Sequence, residues 1–149
     1  MTTRTAAEEA DQLSRRRARM LPFLAVIYLS QQVSFFADAG SGERAVDHVK
    51  VGAWVVLSLV LLAALTTKGF WLRRREVRDM IDDELTKAHR AEALGWGFIM
   101  STLGAIGLYF VSMFEPMGAR EAIHVSVSLG IAAAIVRFGM LERRALRDA

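Results

Sequence analysis

The stretch Val51–Thr67 reads VGAWVVLSLVLLAALTT, and Phe70, Trp71 and Leu72 continue it with aromatic side chains. Between Val55 and Leu65 it holds one polar side chain, Ser58, and no charge. A helix on the surface of a soluble bundle shows polar residues at every turn. This segment shows none of that pattern, so a soluble bundle is the minor alternative. Three further blocks share its character: Met20–Ala37, Gly95–Phe114 and Ala122–Leu141. Each is close to the roughly 17–25 apolar residues that a helix needs to cross the hydrocarbon core. None alternates with period two, so a membrane β-barrel is not supported. Backbone groups in lipid must then be satisfied within helices. The expected fold is all-α: four transmembrane helices in an antiparallel bundle.

The surrounding composition agrees. The chain has 149 residues, 53 % of them hydrophobic, with no Cys and two Pro. That is room for one domain, and it excludes a disulfide scaffold and a disordered chain. All but three of the 19 Lys and Arg fall in the N-terminal arm, the segment between blocks two and three, and the C-terminal end. The exceptions are Arg44, Lys50 and Arg120. Basic residues in short loops mark the cytoplasmic face. Both termini and the middle segment are therefore expected inside, with Asp38–Lys50 and Glu115–Glu121 outside. The formal charge of +3 follows from this asymmetry. It argues for an anionic inner leaflet as the neighbour and against nucleic acid. Ala37-Asp38-Ala39 offers a signal-peptidase-like alternative for block one. The long preceding arm and Gln31-Gln32 favour a retained span.

Residues 1–19 form the expected cytoplasmic arm, 20–141 the membrane domain and 142–149 the cytoplasmic tail. Thr5-x-x-Glu8 opens the arm as a possible capping box. Pro22 predicts a break or kink near Arg19–Pro22. Within the membrane domain, residues 68–94 are expected to form a charged inner helical hairpin. Val77, Ile81, Leu85 and Ala88 give it an apolar stripe, and its turn is placed near Asp79–Asp83. The alternative puts breaks at Gly69 and Gly95–Gly97.

Small residues recur at every fourth position in two spans: Gly97, Ser101 and Ala105, then Ser126, Gly130 and Ala134. Such stripes let helix backbones approach closely in lipid. The two are expected to face each other, with a homodimer face as the rival. Gly104 and Gly107 suggest a second close approach. Gln31 and Gln32, with Ser30 and Ser34, form the polar cluster of block one. Interhelical hydrogen bonding is their expected role, and a small polar cavity the alternative. Arg137 is expected to anchor span four by reaching toward the inner interface. His48 and His124 fall near outer span ends and are the candidates for a haem or quinone, although no cofactor is expected. Asp82, Thr86, His89 and Glu92 share a helix face, read as solvated and salt-bridged rather than metal-binding. No phosphate-binding loop, nucleophile elbow or zinc motif occurs.

Asp82-Asp83-Glu84, then Lys87-Ala88-His89-Arg90-Ala91, run straight into a Gly-rich span, and Leu141-Glu142-Arg143-Arg144 closes the pattern. Over about Arg78–Arg147 the chain resembles small four-span bacterial inner-membrane proteins of unknown function, with Leu85 where those proteins carry Arg. The resemblance implies a helical membrane protein and transfers no active residues. The expected function is that of a non-enzymatic accessory or interaction subunit. Its basic face would contact a protein or lipid through Arg15, Arg16, Arg17, Arg73, Arg74, Arg75 and Arg78. A small oligomeric transporter or channel subunit and a haem- or quinone-linked redox subunit are the alternatives.

Overall fold

The computed structural model describes residues 6–37, 45–67 and 84–148. The hairpin turn near Asp79–Asp83, and Arg73, Arg74, Arg75 and Arg78, lie outside the described residues. The described residues form four helices, α1 (Ala6–Ala37), α2 (Ala45–Thr66), α3 (Glu84–Val111) and α4 (Ala119–Asp148), with a turn between α3 and α4. Three stretches are long and apolar enough to cross a membrane: His48–Thr66, Glu84–Val111 and Ala119–Arg147.

The expected break near Arg19–Pro22 is absent, since α1 runs through Pro22 without interruption. Proline removes one rung of the backbone ladder. Here α4 backs that point of the helix. A Cβ on Gly139 would sit 3.2 Å from the Leu21 Cβ and 3.5 Å from the Pro22 Cδ. The absent side chain at 139 leaves room for the ring. The alternative breaks at Gly95–Gly97 are absent too, because α3 continues through them.

Between α3 and α4, the Ser112 amide donates to the Leu108 carbonyl at 2.9 Å and the Glu115 amide to the Val111 carbonyl at 2.9 Å. The Glu121 carboxylate then accepts from the Gly118 amide at 3.0 Å. That is the reach-back half of a capping box, and it sets the start of α4.

The α4 helix is the centre of the molecule. Half of its apolar window is buried, against 6 % for α3 and 17 % for α2. It packs most extensively on α3, next on α1 and more lightly on α2. Tyr28 and Ile135 are the largest fully buried side chains, joined by Ala25, Leu61, Leu65, Ala93 and Phe138. Phe23, Val56, Phe98, Tyr109 and Phe110 point outward and are well exposed. A water-soluble domain does not surround itself with apolar side chains on this scale. With three span-length apolar helices, this is the surface of a membrane protein.

Candidate functional site

Three helices each bring a pair of polar or aromatic residues four apart: Tyr28 and Gln32 on α1, Trp54 and Ser58 on α2, His124 and Ser128 on α4. Four residues return a helix to the same face. The three pairs meet inside the bundle. The Tyr28 hydroxyl lies 2.8 Å from the Ser58 Oγ, where either can donate, and 3.5 Å from the Ser128 Oγ. The Trp54 indole N–H donates to the Ser128 Oγ at 3.0 Å. The Trp54 ring stacks on His124, with centroids 4.1 Å apart. The His124 Nε2 is hydrogen-bonded to the Gln32 Oε1. Gln32 in turn donates from its Nε2 to the Tyr28 carbonyl at 3.1 Å. That donor fixes the amide orientation, so Oε1 accepts and His124 carries its proton on Nε2.

An unpaired polar group in hydrocarbon costs several kcal/mol, on the order of the water-to-alkane penalty. The network removes that penalty for six side chains and ties α1, α2 and α4 together. His48 is exposed on the first turn of α2, whereas His124 is buried and engaged with Gln32 and Trp54. Gln31 and Gln32 also part company: Gln32 turns inward, while Gln31 is exposed. Ser30 bonds its own helix, at the Ile27 carbonyl.

A second polar set lies toward the other end of the α3–α4 pair. His89 Nδ1 lies 3.2 Å from the Glu142 Oε1, with both side chains largely buried. Thr86 is buried beside them in sequence, one turn away. Of the face read as solvated and salt-bridged, Thr86 and His89 are covered and Glu92 stays exposed, His89 and Glu92 are each paired with α4, and Asp82 lies outside the described residues. Glu92 accepts from the Arg137 Nε at 3.1 Å and is also paired with its Nη2. The Arg137 guanidinium lies 5.4 Å from the Trp96 ring centroid. Arg137 is thus held by α3 rather than serving solely as a lipid anchor. Lys87 pairs with Glu84 at 2.8 Å on the exposed side. Among the described residues, no group of three or more His, Cys, Asp and Glu is placed to hold a metal.

The small-residue stripes meet over part of their length. A Cβ on Gly97 would sit 2.8 Å from both the Ala134 Cβ and the Gly130 carbonyl oxygen. One on Gly130 would sit 2.8 Å from the Ser101 Cβ. Gly104 is pressed against Leu129, whereas Gly107 faces open space. Ala105 and Ser126 line an open groove of about 520 Å³ with Leu108, Tyr109 and Ile123.

Comparison with protein-family models, curated proteins and solved structures finds no match to this chain. The site is therefore read from its own chemistry. Six exposed arginines gather toward one end of α1 and α4, and Arg120 is exposed at the other end of α4. Arg15, Arg16 and Arg19 of α1 are exposed, as are Arg143, Arg144 and Arg147 of α4. The side chain of Arg17 lies outside the described set. Tyr28, Trp54, Ser58 and Ser128 were missed as site residues by the sequence reading. Their signal was the four-residue spacing repeated on three helices, which only gains meaning once the helices are known to converge.

Proposed function

We propose that the chain is a four-span protein of a bacterial inner membrane, with antiparallel helices and both termini cytoplasmic. Its work is that of a non-enzymatic accessory or interaction subunit docking through its basic face. The contact order supports the antiparallel arrangement. Gly104 meets Leu129, Gly97 meets Ala134, and His89 meets Glu142. On α1, Leu21 meets Gly139 and Gln32 meets His124. In this reading Met20–Ala37 is the remaining span.

The observation that carries the functional reading is the division of polar groups. The buried network residues are joined to each other, while six exposed arginines, three on α1 and three on α4, gather toward one end, with Arg120 exposed at the other. A bundle built this way is a scaffold with one charged contact surface. The test is charge reversal at Arg143 and Arg144, with the variant purified in mild detergent beside the wild type. Loss of a stoichiometric partner from the reversed variant, with Gln32→Ala retaining it, supports the reading. Retention by the reversed variant sinks it.

The buried polar chain supports one second reading, a small transporter subunit. Six polar and aromatic side chains in series could serve as part of a path rather than as a clasp. Gln32→Ala would then abolish flux in reconstituted vesicles, whereas a clasp residue changes stability alone.

A further inference from the structure

We infer that the basic end of the bundle binds the headgroup of an anionic phospholipid carrying two phosphates, with one phosphate against α1 and the other against α4. The inference rests on the reading of this end as facing an anionic leaflet, and it names the partner of that face.

The two helices carry the same motif. Arg15-Arg16-x-x-Arg19 on α1 and Arg143-Arg144-x-x-Arg147 on α4 both read R-R-x-x-R. On a helix, positions one and four apart place three guanidinium groups on one broad flank. All six side chains are exposed. The helices touch where Leu21 and Pro22 meet Gly139. Arg16 lies five residues before Leu21, and Arg144 lies five residues after Gly139. At 1.5 Å per residue both stand about 7.5 Å beyond that contact. The two arginine triads therefore sit at one level on neighbouring helices.

Packed helices stand roughly 8–10 Å apart, axis to axis. One triad suits one phosphate, since guanidinium forks pair with phosphate oxygens in a bidentate way. Two triads at this separation suit two phosphates joined through a short headgroup. Apolar residues continue directly from both triads into the span: Met20 and Phe23 on α1, Val136 and Met140 on α4, all exposed. A lipid held by its headgroup here would lay its chains along that surface. A free anion or an acidic peptide would leave it uncovered.

The experiment is native mass spectrometry of the full chain in a non-ionic detergent. The protein is offered a diphosphatidyl lipid, a single-phosphate anionic lipid, a zwitterionic lipid and inorganic phosphate. The expected result is a one-to-one adduct with the diphosphatidyl lipid that outlasts the others and is not displaced by phosphate. Arg16→Gln with Arg144→Gln should reduce its retention by about tenfold or more, and each single change should give part of that loss. Arg120→Gln, on the first turn of α4 at the opposite end, should leave retention unchanged. Equal retention of the zwitterionic lipid, displacement by phosphate, or an undiminished adduct in the double variant would overturn the proposal. Helical circular dichroism of each variant separates lost binding from lost folding. Failure of the membrane orientation itself would show separately, in the labelling experiment described below.

Discussion

A single methyl group at Gly97 has nowhere to go. Its Cβ would stand 2.8 Å from both a side chain and a backbone carbonyl of α4. Backbone cannot rotate aside as a flexible side chain can. Gly97→Val is therefore expected to destabilise the protein by about 1–3 kcal/mol or more, as overpacking does. Gly107→Val, in open space, should be near neutral. Thermal unfolding in detergent distinguishes the two. Tyr28→Phe tests the polar network in the same way. It keeps the ring and removes the hydroxyl that lies 2.8 Å from Ser58. Interhelical hydrogen bonds in membranes are worth about 1 kcal/mol or less. A loss of that size is expected, and a stability equal to wild type would show that Ser58 finds another acceptor.

At the scale of helices, α3 and α4 are fastened twice at one end, and the two fastenings differ in depth. His89 and Glu142 are largely buried, whereas Arg137 and Glu92 are partly exposed. Truncating one member of a buried pair leaves the other unsatisfied, at a cost of about 1–3 kcal/mol. A partly exposed ion pair contributes about 0–1 kcal/mol. Glu142→Ala should accordingly cost more than Glu92→Ala in equilibrium unfolding. The reverse order would mean that the cation–π contact of Arg137 with Trp96 dominates that end. The helices themselves were legible in the sequence, because unbroken apolar runs bounded by charge have one physical meaning in lipid. Gly97, Ser101, Gly130 and Ala134 were legible for a similar reason, since small residues at fourfold spacing mark close approach. The helix does not break at Pro22, where Gly139 of α4 leaves the ring room that local propensity cannot foresee. The salt bridging of the His89 face was legible, but the burial of Thr86 and His89 was not, because charge pattern along one helix does not reveal a second helix lying over it.

For the molecule as a whole, the absence of cysteine is an experimental convenience. Single cysteines can be introduced without a background. With the proposed orientation, Arg147→Cys should react with a membrane-impermeant maleimide only after the cytoplasmic side is opened. Met113→Cys, in the α3–α4 turn, should react in intact spheroplasts. Phe98→Cys should resist labelling on both sides. The opposite pattern at residues 147 and 113 would invert the topology. At this level the sequence supplies an expectation, through the distribution of Lys and Arg, that the labelling would test. It could not reveal which helix lies at the centre, because all four blocks are similarly apolar and burial depends on neighbours.

That centre is α4, which follows α1, α2 and α3 in the chain. Proteins are made from the N-terminus onward. The earlier helices therefore emerge from the ribosome before the element that joins them exists. Neither Tyr28 and Trp54 with Ser128 nor Gly97 with Ala134 can meet until residues 119–148 have been synthesised and inserted. Association of the earlier helices thus waits on Ala119–Asp148. A chain stopped short of them would hold loosely associated helices with unpaired polar groups, a natural target for membrane quality-control proteases. Supplying α4 as a separate polypeptide would be the way to rescue it.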